Sequence, residues 1–418
     1  MEATVNEFTR WTALADVESV VHELWSRVNE SRPWADKGAS LALRQLNLIV
    51  LARGGRQAKR ASSVLEALAA AFPARAVVMA EQMPGDRVEE PRELLHEAHP
   101  LARVTVRCGA PGTVGPPICW EEMVVPVRRE DASLLQSYAE PLLLGDLPVV
   151  LWVPQEPDCS AQDFRRLADM ADRVVLDSAA FDAPIRGLRL VADLVREMAG
   201  HRTVGDLSWA RLTPWRELVA DVFEDPARRD MLDRVETLTV GYGSEVVDSE
   251  LAAGGEEHLS PAVARALLFC SWMASRLGWV LGGRGWHKEG DVSVLEMRRA
   301  GVKMTPGSTI LFRLHPHRCL PGEFGGLETV TLEVAGKTSG TPGAVITIKR
   351  TPDSGVCSSR LRYEGREVDI RTIDMPLPTE EALLAEELSY VGSDTVFEES
   401  LAVAAQLSGL PGSEGLVI

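Results

Sequence analysis

Two histidines and a cysteine alternate in the segment LHPHRC, a spacing typical of metal ligands. His315, His317 and Cys319 are two residues apart, and alternate residues of a β-strand share one face. Imidazole and thiolate groups that converge on one face can chelate a metal ion. However, Pro316 interrupts the predicted strand, and no carboxylate or further histidine follows at ligand spacing. A polar strand end explains these residues equally well, and we expect no metal site.

Two glycine-containing segments resemble phosphate-binding loops without meeting their requirements. Gly336-Lys337-Thr338 offers the lysine and hydroxyl of a P-loop, but Thr331 occupies the position of the motif's first glycine. We therefore predict a hairpin turn between two strands. LGGRGWHKEG (281–290) lacks GxGxxG spacing and predicts a flexible loop. HEAH (96–99) is not HExxH and predicts a solvated loop.

A polar pair follows an apolar strand in the first half of the chain. Asp177 and Ser178 end this strand at its carboxyl edge, where open α/β sheets bind ligands. With Trp152 nearby, the alternative function is an enzyme or sensor that binds a sugar phosphate or nucleotide. The same residues are common as helix caps and turn formers, and no GxSxG elbow surrounds Ser178. No nucleophile, base and orienting carboxylate can be named together, so we expect neither an enzyme nor a cofactor.

The elements that position these residues fall into two groups. In the first half, apolar strands alternate with helical periodicity, which indicates an α/β sheet covered on both faces and at least partly parallel. Its predicted helices are 16–28, 57–72 and 163–171. Its predicted strands are 43–52, 74–80, 102–108, 118–127, 147–154 and 173–179.

The second half begins with two helical segments, 214–223 and 261–278, and continues as strands joined by turn residues. This pattern predicts an antiparallel meander. Two helices, 378–391 and 393–407, close the chain, with Thr379 and Ser393 or Asp394 as N-cap candidates. The predicted strands are 292–299, 309–315, 327–335, 343–350, 356–363 and 367–372. We predict an α/β layered domain at 1–203 and an α+β domain at 204–418.

Charge and hydropathy exclude several classes of partner. The net charge of −17 offers no concentrated basic surface for a phosphate backbone, so we expect no nucleic acid partner. The apolar segment 261–283 contains Arg265 and Arg276, which are costly in a bilayer, and predicts a buried helix with no membrane partner. The acidic N-terminus is unlike a signal peptide, and we expect a cytoplasmic protein.

The six cysteines are far apart and form no CxxC motif. This spacing favours reduced thiols over a disulfide framework. If a regulatory pair exists, Cys319 and Cys357 are its candidates.

The segment GDLSWARLTPWREL (205–218) concentrates tryptophan and arginine, the side chains most enriched at the centres of protein interfaces. Asp206 or Ser208 can cap a helix, and Pro214 can occupy the favoured first position of the next one. Trp209 and Trp215 are therefore either interface residues or core anchors, and composition alone does not choose between them.

This segment closely resembles the D-L-x-W-x-R-L-T-P-W-R motif of the OpcA family, the glucose-6-phosphate dehydrogenase assembly proteins of cyanobacteria and actinobacteria. Further similarities follow at 147–154 (L-W-x-P), 171–179 (R-V-x-x-D-S), 270–279 (W-x-A-S-R-L-G-W) and 383–401 (L-L-x-x-E-L, then D-x-V-Y-E-x-x-L). The last motif has phenylalanine where the family has tyrosine. The resemblance extends from about residue 40 to residue 401.

The resemblance implies a non-catalytic partner that binds glucose-6-phosphate dehydrogenase and promotes its active oligomer in the oxidative pentose phosphate pathway. In this hypothesis, Trp209 and Trp215 are buried anchors of the contact, and Arg211 and Arg216 pair with carboxylates or carbonyls of the enzyme. Thr213 and Pro214 complete the predicted partner-binding set. Some photosynthetic members of the family are under redox control through cysteines, but the absence of a close pair in this sequence argues against thiol switching.

Overall fold

A computed structural model describes most of the chain and divides it into two compact units. The units are discontinuous in sequence: the first contains Met1–Asp177, Met198–Gly205 and Thr379–Ser393, and the second contains the remainder. The predicted change of domain after residue 203 lies close to the point where the chain leaves the first unit, between Gly205 and Asp206. The described residues are 6–30, 44–69, 71–83, 100–108, 119–245, 261–301, 309–319, 326–337, 343–351, 355–390, 392–413 and 416.

An eight-stranded sheet, in the order β1-β4-β5-β3-β2-β6-β7-β8, forms the centre of the first unit. The adjacent strands β5, β3, β2, β6 and β7 are parallel to one another. β4, in contrast, pairs antiparallel with both β1 and β5. The prediction of a partly parallel α/β sheet is therefore confirmed. The strands are β1 (Asn6–Ala13), β2 (Leu46–Arg53), β3 (Ala74–Glu81), β4 (Leu101–Cys108), β5 (Cys119–Val127), β6 (Val149–Val153), β7 (Arg173–Leu176) and β8 (Thr203–Asp206).

Helices cover this sheet because each has one apolar stripe at helical spacing. In α1, Val17, Val20, Val21, Leu24 and Val28 are buried. α2 packs against β2 and β3, and also against α9, which comes from the far end of the chain. The helices of the first unit are α1 (Val17–Glu30), α2 (Gly54–Leu68), α3 (Leu135–Ala139), α4 (Gln162–Ala168) and α9 (Glu380–Ser389).

The second unit contains a nine-stranded sheet in the order β10-β12-β13-β9-β14-β15-β16-β17, with β11 paired to β12. Within the part of the chain that the structure describes, its strand pairs are antiparallel except one: β9 and β13 are parallel. The predicted meander is thus a mixed sheet, because β9 inserts between β13 and β14. The strands are β9 (Val235–Glu245), β10 (Trp279–Leu281), β11 (His287–Glu289), β12 (Val292–Arg299), β13 (Thr309–Cys319), β14 (Leu327–Val334), β15 (Ala344–Arg350), β16 (Val356–Tyr363) and β17 (Arg366–Asp374).

The helices of the second unit pack against this sheet and against each other. α8 contacts β9, β13 and β14, α7 contacts β15 to β17, and α10 packs on α8. The side chains of Phe269 and Cys270 in α8 have no exposed surface, which confirms the predicted buried helix. No helix among the described residues is both long enough and apolar enough to cross a membrane. These helices are α5 (Pro184–Met198), α6 (Leu207–Ala210), α7 (Thr213–Val222), α8 (Pro261–Leu277) and α10 (Thr395–Ser408).

One expectation about the cysteines is wrong. Cys108 and Cys119 form a disulfide between β4 and β5, where the antiparallel register places them opposite each other. A search for CxxC spacing does not detect such a pair, because strand pairing and not sequence proximity brings the two thiols together.

The proposed pair of Cys319 and Cys357 does not form, since Cys357 keeps a free, buried thiol. β13 and β16 are four steps apart in the sheet order. At about 4.8 Å a step, this separates the two strands by ~19 Å, far beyond the reach of a disulfide.

β13 also runs through Pro316, contrary to the prediction that proline interrupts the strand. Its pairing with β12 ends at Leu314, and beyond that point β9 is its paired strand. A residue without a backbone N–H is tolerated at such an edge.

Candidate functional site

The tryptophan- and arginine-rich stretch of residues 206–216, which we call the Trp-Arg segment, begins at a buried carboxylate. Asp206 is fully buried and accepts a hydrogen bond from the backbone N–H of Ser208 at 2.9 Å, which caps α6. The backbone N–H and the hydroxyl of Ser178 also donate to it, at 3.0 and 2.5 Å. Asp206 therefore joins two segments that the family resemblance had selected separately.

Trp209 is held from three sides by residues of the second unit. Its indole N–H donates to Asp394 Oδ2 at 2.8 Å, and its ring lies 5.6 Å from that of Phe397. Asp394 also caps α10 by accepting from the backbone N–H of Phe397 at 2.9 Å, which selects Asp394 from the two predicted cap candidates. Only 3% of Trp209 is exposed. The ring thus fixes the start of α10 against α6.

Arg216 covers the other face of Trp209. Its guanidinium carbon lies 3.6 Å from the centre of the indole ring, which is cation–π geometry. It also donates to the hydroxyl of Thr213 at 2.8 Å. The planar guanidinium suits this stacked position, whereas a lysine ammonium does not reproduce it.

Trp215 belongs to the buried face of α7. It is 4% exposed and shares that face with Leu218, Val219 and Val222. Pro214 is the second residue of α7, one place after the predicted first position, and in this first turn its missing N–H has no cost.

The sequence left open whether the two tryptophans are core anchors or interface residues, and their burial favours core anchors. Arg211, Thr213, Pro214 and Arg216 remain partly exposed. They are the part of the segment that a partner can reach without local unfolding. Partner binding by the six named residues stays a prediction.

Asp394, Phe397 and Ser178 were not predicted to be part of this site. Asp394 is 185 residues from Trp209, a separation that residue spacing cannot bridge. Each of the three lies in a family-like segment, and this was the signal that could have found them.

The residues of the alternative ligand site are buried. Trp152, Asp177 and Ser178 are 0, 6 and 1% exposed. The Ser178 hydroxyl donates to Asp206 and does not lie beside a histidine base in the described structure. This geometry gives Ser178 a role in joining segments of the fold.

The glycine-rich stretches also have roles in the fold. Trp286 donates its backbone N–H to Pro411 O, and a Cβ on Gly285 would overlap the same oxygen. The predicted flexible loop is thus packed against Pro411, which follows the last helix. Lys337 forms an ion pair with Asp230. β14 and β15 pair as the hairpin prediction requires, while Thr338 and HEAH (96–99) lie outside the described residues.

Two family models match this sequence. One, described as the glucose-6-phosphate dehydrogenase subunit N-terminal domain, matches residues 65–193. The other, described as the C-terminal domain of the same subunit, matches residues 202–401 and so includes the Trp-Arg segment. The chain belongs to the OpcA family.

Curated relatives agree with the OpcA assignment. Proteins named putative OxPP cycle protein OpcA from Synechococcus elongatus and Nostoc punctiforme are both 28% identical to this chain, over 308 and 301 residues. Each match covers 69% of this chain, but 59 and 57% of the respective relative. The chain thus spans less than two thirds of the length of these OpcA relatives.

Solved structures similar to this OpcA-family chain include biliverdin reductase from Synechocystis sp. and scyllo-inositol dehydrogenase from Lactobacillus casei. The sequence identities are 12 and 10%, and both TM-scores are 0.40. The matches cover 86 and 89% of this chain and 97 and 92% of the respective structures. Similarity at this level carries no argument about activity.

Proposed function

We propose that this protein is a non-catalytic factor that assembles glucose-6-phosphate dehydrogenase and activates it allosterically, in support of the oxidative pentose phosphate pathway. The observation that carries the proposal is the match of both family models, each described as a domain of a glucose-6-phosphate dehydrogenase subunit. The names of the cyanobacterial relatives, which contain the abbreviation OxPP, also support it. The protein acts in the cytoplasm, where it meets this partner.

Activation imposes a thermodynamic condition on the contact. A ligand that binds two states of an enzyme equally well does not change their ratio, however tightly it binds. The protein must therefore bind the active oligomer of the dehydrogenase more tightly than its inactive form. A shift from 1:99 to 99:1 requires a preference of about 10⁴-fold.

The Trp-Arg segment is the contact surface in this proposal. Trp209 and Trp215 support it from within the second unit, because their rings are buried. The partly exposed residues Arg211, Thr213 and Pro214 present the polar groups and the proline ring that the enzyme meets. An arginine at a desolvated contact can pair with a carboxylate in bidentate geometry.

The proposal is tested with the dehydrogenase of the same organism. Initial rates are measured against glucose 6-phosphate concentration with and without this protein, and the oligomeric state of the enzyme is followed by mass photometry. We expect a higher kcat/KM together with a larger enzyme assembly. If rates and assembly stay unchanged at micromolar excess, the proposed function is wrong.

A second experiment tests the contact surface separately from the function. Arg211→Ala removes one guanidinium of the segment, and Arg196→Ala removes an exposed guanidinium of α5 as the matched control. We expect Arg211→Ala to require at least about tenfold more protein for half-maximal activation, a loss of ~1.4 kcal/mol, with an unchanged Tm. Equal activation by both folded variants would place the contact elsewhere.

A further inference from the structure

Three titratable side chains form a hydrogen-bonded series at the end of β13, far in sequence from the Trp-Arg segment. His315 and His317 share one face of this strand, beyond the point where its pairing with β12 ends. Glu328, at the start of β14, is the third member of this series. His315 is exposed and His317 is partly exposed, so small solutes can reach the imidazoles.

The geometry of the two rings is specific. Nδ1 of His315 lies 3.3 Å from Nε2 of His317, with the ring planes at 87°. The other nitrogen of His317, Nδ1, lies 2.7 Å from Glu328 Oε2. A Cβ on Gly241 would overlap the His317 ring and the Thr329 hydroxyl, so glycine at this position leaves room for the imidazole.

The distance between the two nitrogens matches the edge of a metal coordination tetrahedron. Two imidazole nitrogens at 2.0–2.1 Å from a tetrahedral zinc ion are about 3.3 Å apart. The contact of His317 with Glu328 supplies the carboxylate that commonly orients a zinc-ligating histidine through its second nitrogen. In a simple N–H···N hydrogen bond, by contrast, one ring donates to the other and needs no metal.

The charges around the pair also favour a cation. Glu328 lies against His317, and Asp291 is close enough to His315 to interact with it electrostatically. The nearby Arg313 forms an ion pair with Glu289 at 2.9 Å, which offsets its positive charge.

The sequence alone predicts no metal site here, but the side-chain geometry favours one. We propose that His315 and His317 bind a zinc ion through Nδ1 and Nε2 respectively, and that Glu328 positions the His317 ring. No group of three histidine, cysteine, aspartate or glutamate side chains able to hold a metal occurs among the described residues. Water therefore fills the remaining coordination positions. With two protein ligands, the site binds zinc more weakly than a closed structural site with four protein ligands.

Calorimetric titration of the 418-residue chain with zinc chloride, in a buffer that does not chelate metals, tests this site. The variants are His315→Gln, His317→Gln and Glu328→Gln, and His201→Gln removes an exposed histidine of the first unit as the control. We expect one site in the native protein and in the control. Zinc affinity should fall at least about tenfold in each of these three variants.

Histidine nuclear magnetic resonance provides a readout that a purely structural role would not change. Zinc should shift the ring nitrogen signals of His315 and His317, and leave that of His201 in place. The Tm of each metal-free variant checks its folding. The proposal is overturned if the native protein takes up no zinc at about 100 μM, or if folded His315→Gln and His317→Gln variants bind it as tightly as the control.

Discussion

Two adjacent carboxylates of β5, Glu121 and Glu122, have opposite pKa shifts. Both side chains are buried, and burial alone raises the pKa of a carboxyl group. At Glu121, hydrogen bonds from Arg44 and Trp25 and the charge of Arg75 outweigh burial and lower the pKa. Oxygen atoms of Glu121 accept from Arg75 Nε at 2.5 Å and from Arg44 at 2.8 Å. At Glu122, burial dominates and raises the pKa.

Glu121→Gln should destabilise the protein at neutral pH by up to about 3 kcal/mol, because it leaves the buried Arg75 guanidinium with the more exposed Glu18 as its remaining carboxylate partner. A lowered carboxyl pKa stabilises the fold above the unfolded-state value, near 4.5, and this stability is lost as the pH falls. The difference between the variant and the native protein should therefore persist down to about pH 4.5 and shrink below it. Urea unfolding at pH 7.5 and about pH 3.5 measures this change, and a difference independent of pH would show that the charge of Glu121 is not the cause.

Glu122→Gln should have the opposite effect and raise the free energy of unfolding at pH 7.5 by up to about 1 kcal/mol. A carboxyl group whose pKa is raised in the folded state stabilises the fold below the unfolded-state pKa, and this contribution is lost as the pH rises. The neutral amide avoids that loss. The same urea experiment serves as the measurement, and a variant less stable than the native protein at pH 7.5 would show that Glu122 is needed as an anion.

Asp394 has two roles, as the cap of α10 and as the acceptor for the buried Trp209 N–H. Asp394→Ala should cost about 2–3 kcal/mol, since it removes a cap and leaves a buried donor without an acceptor. In a Trp209→Phe background the cost should fall to about 1 kcal/mol, because the donor is gone. A double-mutant cycle from thermal unfolding measures the coupling, and additive losses would argue against the hydrogen bond.

Among helices and strands, α9 is joined to β7 by a buried ion pair. Arg173 of β7 donates to Glu387 at 2.5 Å, although 214 residues separate them, and the two side chains are 8 and 3% exposed. A Cβ on Gly205 would overlap the Glu387 carboxylate, so glycine on β8 makes room for this contact. The pair orients α9 within the first unit.

Glu387→Gln should therefore destabilise the first unit by about 3 kcal/mol and increase hydrogen exchange in α9. Glu381→Gln, on the same helix but outside this pair, is the matched control. Replacement of both partners by apolar residues, Arg173→Met with Glu387→Leu, should recover most of the loss, because buried ion pairs are often no better than apolar packing of similar volume. Unchanged exchange in α9 of the Glu387→Gln variant would mean that other contacts hold the helix.

Local pattern predicted the elements that have one clear period, and it missed those defined by distant contacts. The strands β2, β3 and β6 are almost wholly buried, so nearly all of their residues are apolar. Such continuous apolar runs can be recognised as strands in the sequence. β9 was missed because Gly241 and Gly243 are typical of turns. In the sheet, Gly241 instead lies against Thr329 and His317. The Trp-Arg segment could also be found locally, from its tryptophan and arginine content and its family motif. Its contact with Asp394 could be found only from the folded structure.

At the level of the whole chain, each compact unit is assembled from separate sequence segments. α9 follows most of the second unit in sequence but belongs to the first, where it packs on α2. Arg60 of α2 also forms an ion pair with Glu380 at 2.6 Å. A fragment that ends near residue 203 therefore lacks a helix that covers its own core.

This arrangement predicts different stabilities for two fragments. One fragment contains residues 1–205 alone, and the other joins residues 379–393 to the same stretch through a flexible glycine–serine linker. The joined fragment should unfold cooperatively in urea at a midpoint at least about 1 M higher, because α9 covers apolar surface that the shorter fragment exposes. A joined fragment with Glu387→Gln has the same length but lacks the ion pair that holds α9 to β7. If the specific packing of α9 and not the added length stabilises the joined fragment, the urea midpoint of this variant should fall toward that of the short fragment. Equal midpoints for the short and joined fragments would show that residues 1–205 form a complete core without α9.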